Sequence, residues 1–273
     1  MTRYEAIMAR VQEHYNDALK RIPEERIIGI FLEGSQNYNM DMENSDIDTK
    51  LFIFPSLDDI IYNKTPISTT WIRDNNEHIS VKDIRLVMTT FRKQNLNFLE
   101  VLFTPYFILN PRYSSLWNVL VTNREKIARY NQHAAVMAMY GVAYNKFKML
   151  FKISEATEKS IKKFGYAPKQ LHHLKRIEYF LEKYIEGNNY MSCMRPPQDV
   201  TAELIAIKQG KYNKDIAKRM AEESIKHIKE IRKYVIDNAE IYNKSNTEVN
   251  LNLIAIQKKL MMIYLKSEVS IAE

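Results

Sequence analysis

An apolar run, Ile27-Ile28-Gly29-Ile30-Phe31-Leu32, leads into Glu33-Gly34-Ser35. After ten intervening residues comes Asp46-Ile47-Asp48, and beyond Thr49-Lys50 a second apolar run, Leu51-Phe52-Ile53-Phe54, follows. Short apolar runs bounded by turn residues read as buried strands. A Gly-Ser turn therefore closes one strand and an Asp-x-Asp pair opens the next. This arrangement commits the N-terminal side of the chain to a sheet, and the rest of the chain is read around it.

The same stretch carries chemistry. Asp46 and Asp48 stand at i and i+2 at the mouth of a strand, so their side chains point to one face. Two carboxylates on one face make a hard, oxygen-rich site suited to Mg²⁺ (Mn²⁺ is an alternative), which binds through one or two carboxylates plus substrate phosphates. Gly34 lets the backbone come close to a phosphate. The N–H groups that follow and the Ser35 hydroxyl can donate to phosphate oxygens. Asp pairs alone are common in turns and helix caps, and Gly-Ser alone says less; the strand–turn–pair–strand order is what distinguishes this stretch.

Along the chain, Ile7, Met8, Val11, Tyr15 and Ala18 recur at helical spacing, and Pro23 ends that helix. An irregular or helical piece to Asn44 precedes the second strand. Ser56 can cap a short helix from Leu57. Residues 66–73 and 78–82 alternate as strands around the turn Asp74-Asn75-Asn76, and Asp83 can cap a helix over 84–93. Residues 106–109 read as a strand or an extended linker. Beyond Pro111 the pattern is helical, over 113–121, 124–152, 168–186, 198–208, 213–240 and 247–267. The expectation is an α+β chain: a mixed sheet with flanking helices over 1–110, then an all-helical domain over 111–273.

Gly34-Ser35 with Ser45-Asp46-Ile47-Asp48 resembles the DNA polymerase beta-like nucleotidyltransferase superfamily. Val81-Lys82-Asp83-Ile84-Arg85, the stretch from Lys93 to Phe103, Ala143-Tyr144-Asn145-Lys146 and the stretch from Gly165 to Arg176 resemble its bacterial and phage branch, labelled the RNA-repair-pathway DNA polymerase beta family. The resemblance covers residues 27 to 212. It implies a small nucleotidyltransferase sheet, an NTP substrate, and transfer of a nucleotidyl group to a hydroxyl acceptor. It also implies a third carboxylate on a neighbouring strand, and that position holds Ser80. If Ile79 and Val81 face the core, then His78, Ser80 and Lys82 share the face of the Asp pair, and none is an acid. Three readings are open. The chain is a degenerate member that binds nucleotide or RNA and transfers poorly; or Glu77 or Asp83 substitutes through a bulge or register change; or residue 80 is altered from its original acid. With a Ser hydroxyl, a poor metal ligand, at that position, the expectation is that Asp46 and Asp48 hold one metal with the triphosphate and that the second metal is weak. Glu33 is either a supporting acid or a solvent-facing strand end.

Lys169, His172, His173 and Arg176 fall at i, i+3, i+4 and i+7 of one helix and share a face. With Lys159, Lys162, Lys163 and Lys175 they form a basic patch whose bland explanation is a solvated helix with one buried His. The resemblance favours phosphate or RNA contact for Lys169, His173 and Arg176. Asn145 and Lys148 lie on a helix that can face a cleft; His78 and His133 are read as structural, as are Asn97 and Glu100. A net charge of +7 and a pI near 9.2 suit a polyanionic partner and place RNA slightly ahead of protein or small-molecule acceptors. A single cysteine, Cys193, excludes an intrachain disulfide framework and a Cys-based zinc site. No apolar run is long enough for a membrane span, and Met1-Thr2-Arg3-Tyr4-Glu5 lacks the apolar stretch of a secretory signal. A cytoplasmic setting is expected; the sequence does not specify the oligomeric state.

Overall fold

The computed structural model describes residues 1–42 and 45–272, so Glu43 and Asn44, the end of the expected irregular piece, lie outside the described residues. Contacts divide the chain into two compact units. The first contains Met1–Asn37, Asp41–Tyr130 and the chain from Ser245 onward; the second contains Tyr38–Met40 and Asn131–Lys244.

In the first unit, strands β1 (Ile27–Glu33), β2 (Asp48–Ile53), β3 (Ser68–Ile72), β4 (His78–Asp83) and β5 (Phe107–Leu109) form a mixed sheet ordered β3-β4-β2-β1-β5. β2 and β4 are parallel, and the remaining neighbours are antiparallel. A parallel pair needs a crossover connection, and α2 (Leu57–Ile61) with β3 lies within it. Ser56 caps α2 as expected, in a full capping box with Asp59. Residues 106–109 resolve as the edge strand β5.

One face of the sheet packs on α1 (Arg3–Leu19). Ile7, Val11, Tyr15 and Ala18 of that helix share a core with Ile30, Leu32, Leu51, Ile53, Ile79 and Val81. Each such aliphatic side chain contributes about 1.5–3 kcal/mol by leaving water. The lower part of the other face is aromatic: the Phe31 ring lies 5.2 Å from Phe52, centroid to centroid. The helices α3 (Ile84–Arg92), α4 (Leu96–Leu99), α5 (Ser114–Thr122) and α6 (Arg124–Ala128) follow in this unit. α5 brings Trp117 to within 4.4 Å of Phe31, and the terminal helix, Thr247–Ala272, stacks Tyr264 on Phe54 at 4.6 Å. Burial of these rings explains why the compact unit runs past residue 110 and also takes in the chain's last helix.

The second unit is helical: α7 (Gln132–Met149), α8 (Glu158–Phe164), α9 (Pro168–Ile185), α10 (Tyr190–Met194), α11 (Gln198–Lys208), α12 (Lys214–Asp237) and α13 (Ala239–Tyr242). α9 is its axis and packs against α7, α10, α11 and α12 through Leu171, Leu174, Ile177, Phe180, Leu181 and Tyr184. The helical pattern over 124–152 is broken in the structure at Asn131, whose side chain accepts from the Ala134 N–H at 2.8 Å and starts α7 afresh. α8 and α10 have seven and five residues, too short for a helical period to show in the sequence.

His172 is buried on α9, with Nδ1 2.9 Å from the Leu204 carbonyl oxygen. Burial, reinforced by Arg176, Lys208 and Lys169, lowers its pKa from 6.5 to about 4. A depressed His pKa means that the unfolded chain binds the proton more readily. The stabilisation is therefore complete above pH 6.5 and is lost as pH falls toward 4. Urea unfolding followed from pH 7 to pH 4 should show a loss of up to about 3 kcal/mol from this residue, absent in His172→Gln.

Candidate functional site

Strand register sets the site. β1 and β2 pair Glu33 with Asp48, and β2 and β4 pair Lys50 with Ser80. Directly paired residues project to the same side, so Glu33, Asp48, Lys50, His78 and Ser80 share a face, while Thr49, Ile79 and Val81 turn toward α1. The alternation expected for β4 is present: Ile79 and Val81 are buried and His78, Ser80 and Lys82 are half-buried.

At the mouth of β2, Asp46 is exposed, Ile47 is buried and Asp48 is half-buried. Three groups hold this tripeptide. Gln36 Nε2 donates to the Asp46 carbonyl at 2.8 Å. The Ile47 N–H donates to Glu77 Oε1 at 2.8 Å. The His78 N–H donates to Asp48 Oδ1 at 3.0 Å, and His78 Nδ1 lies at the same distance from that oxygen. His78, read from sequence as merely structural, thus touches a site carboxylate, and Gln36 and Glu77 are positioning residues whose contacts the sequence did not disclose.

The turn at the end of β1 takes the expected form. Gly34 has φ +102°, a region that favours glycine. Its own N–H donates to Glu100 Oε1 at 3.3 Å, so that amide is engaged within the protein. Ser35 begins a 3₁₀ turn, Ser35–Tyr38, and the first amides of such a turn have no acceptor inside it. The Ser35 and Gln36 N–H groups therefore find no acceptor within the turn, and the Ser35 hydroxyl stands beside them. That hydroxyl lies 3.5 Å from Gln36 Oε1.

Glu77 and Asp83 do not take the place of a third site acid. Glu77 is buried on the α1 side among Arg10, His14 and Arg73. Asp83 is also buried; it caps α3 and pairs with Arg85 at 2.6 Å. The acid nearest Ser80 is Glu33, whose Oε1 accepts from the Ser80 hydroxyl at 3.2 Å. Glu33 also forms an ion pair with Lys50, whose ammonium is buried 5.3 Å from the Phe98 ring centre. Burial pushes the Lys50 pKa down to about 8, with Glu100 opposing the shift. Among the described residues, no three His, Cys, Asp or Glu side chains gather closely enough to hold a metal ion. The donor set Asp46 and Asp48 fits one hard cation completed by phosphate oxygens, and does not fit a two-metal cage.

In the second unit, Lys169 is exposed, His173 is half-buried and Arg176 is buried. Arg176 lies over the Tyr38 ring at 3.9 Å, and among the described residues no acceptor reaches its Nε. Lys146 of α7 joins this cluster: burial, then Lys169 and Arg176, hold its pKa below the ordinary lysine value. Burial, followed by Arg176, likewise depresses His173 well below the usual histidine range. Two cations of the broader basic patch are paired with acids. Lys162 pairs with Glu158 at 2.7 Å and Lys175 with Glu178 at 2.6 Å, while Lys148 lies over Tyr144 at 4.5 Å. Lys146 is the α7 cation whose charge meets those of Lys169 and Arg176.

No family model matches the chain, and no curated protein matches it. Among solved structures it is similar to a nucleotidyltransferase-like protein from Exiguobacterium sibiricum 255-15, at 7% identity and a TM-score of 0.30, over 84% of this chain and 76% of that one. A likeness of that depth has no bearing on the chemistry of the site. Among the described residues no helix is long and apolar enough to cross a membrane.

Proposed function

We propose that this chain is a nucleotidyltransferase that takes an NTP and moves its nucleotidyl group to a hydroxyl acceptor. The observation that carries this is the Asp46-Ile47-Asp48 tripeptide, fixed by Gln36, Glu77 and His78 beside the Gly34-Ser35 turn at the end of β1. The acceptor oxygen bonds to the α-phosphorus as the bond to pyrophosphate breaks, and the hydroxyl proton leaves to solvent. Ser35 and the amides after Gly34 orient the phosphates. Asp46 and Asp48 would hold Mg²⁺ or Mn²⁺, which when bound offsets the charge developing on the phosphate oxygens. Within the second unit, Lys146, Lys169 and Arg176, with neutral His173, form a basic cluster suited to a phosphate group. Among the described residues the Arg176 Nε has no acceptor, and a buried polar group of that kind is costly until an anion meets it. The net charge of +7 favours RNA as the acceptor.

A second reading is a nucleotide- or RNA-binding protein with little or no transfer. Ser80 favours it, because the hydroxyl leaves the sheet face without a third free carboxylate. Incubation with labelled NTPs, Mg²⁺ or Mn²⁺ and total RNA separates the two. Label transfer by the wild type that disappears in Asp46→Ala is the result expected of the enzyme. Transfer that appears only in Ser80→Asp would establish the binding protein instead.

A further inference from the structure

We propose that the Lys50 ammonium stands where a second metal ion would otherwise be needed, so that the site takes a single divalent cation with its nucleotide. This deepens the nucleotidyltransferase reading and rests on it. A second dication beside Asp46 and Asp48 needs another anionic ligand to offset its charge and fill its coordination shell. The strand position that faces Lys50 across β2 and β4 is Ser80, which brings a hydroxyl and no charge. The acids close to it are already engaged. Glu33 pairs with Lys50 and accepts from Ser80, and Glu100 is buried and accepts from the Gly34 N–H.

Lys50 itself is part of the framework. It stands two residues after Asp48 on the same strand, so its stem leaves the same face. Its side chain is 4% exposed, and its ammonium is held between the Glu33 carboxylate and the Phe98 ring. A buried lysine retained beside a carboxylate is a fixed positive charge that cannot exchange with solvent as a metal can. It repels a second cation from Glu33 and supplies one charge in that cation's place.

The test is Mn²⁺ stoichiometry in the complex of the full chain with a nonhydrolysable NTP analogue, read by electron paramagnetic resonance and equilibrium dialysis. Wild type should bind one Mn²⁺ per chain with no Mn–Mn coupling. Ser80→Asp alone should still bind one, because Lys50 remains. The double variant Lys50→Met with Ser80→Asp should bind two, with spin coupling between them. Circular dichroism of each variant checks folding. Lys50→Gln with Ser80→Asp gives a second, polar replacement of the ammonium should the Met variant misfold, and a folded double variant that still binds one Mn²⁺ would overturn the lysine assignment. Two coupled Mn²⁺ ions in the wild type or in Ser80→Asp would overturn the lysine assignment and leave the nucleotide reading standing. Absence of both Mn²⁺ and nucleotide from the wild type would overturn both.

Discussion

If the proposed function holds, replacing Asp48 with Asn should lower nucleotidyl transfer by a factor on the order of 10³ while leaving stability within about 0.5 kcal/mol of wild type. The two halves of this expectation come from different features of one side chain. The Asn carbonyl can still accept from the His78 N–H, which meets Asp48 Oδ1 at 3.0 Å. The residue is half-buried at a strand mouth, so the substitution creates neither a cavity nor a buried unpaired donor. What it removes is a full negative charge from the pair suited to a divalent cation. Single-turnover transfer with labelled NTP, measured beside urea unfolding, reads both halves. A variant equally active, or one that lost activity only by unfolding, would be inconsistent with the assigned role.

Glu77→Ala has the opposite profile: its main effect is on stability, a loss of about 3–5 kcal/mol in urea unfolding. The Glu77 carboxylate is 1% exposed and accepts from Arg73 Nη1 at 2.9 Å and Asn75 Nδ2 at 2.7 Å. It also faces His14 Nε2 at 3.0 Å and pairs with Arg10. Truncation leaves two guanidiniums, a buried imidazole and the Ile47 N–H without their common acceptor. Because Ile47 sits between the two site aspartates, the residual folded protein should also transfer more slowly. A Glu77→Ala protein as stable as wild type would show that the clamp beneath Ile47 is not a stabilising element.

The site was partly legible in the sequence because two of its determinants are local. The strand–Gly-Ser–Asp-x-Asp–strand order lies within one stretch, and the positive φ of Gly34 follows from the turn it makes. The alternation of β4, which puts Ser80 on the site face, was readable from Ile79 and Val81 alone. Lys50 was not read as part of the site, since an isolated lysine in a strand gives no sign of the Glu33 opposite until β1–β2 register is known. Glu77 was weighed as a substitute acid, and only packing against α1 shows that it faces away and supports Ile47 from behind. The division of the chain was hidden for the same reason. Trp117 and Tyr264 are ordinary aromatic positions of helical patterns, and nothing local says that they complete the far face of the sheet. Lys146 was legible only as part of the resembling stretch Ala143–Lys146, because its approach to Lys169 and Arg176 depends on how α7 packs on α9.

In the proposed function the Gly34-Ser35 turn and the Asp46-Asp48 pair form a nucleotide site. A crystal structure of the full chain with a nonhydrolysable NTP and Mn²⁺, recorded at the manganese absorption edge, tests it most directly. The expected result is triphosphate density against Ser35 and the amides after Gly34, with one anomalous peak between the Asp46 and Asp48 carboxylates. Nucleotide bound elsewhere on the chain, or manganese ligated by other residues with both aspartates bare, would contradict it.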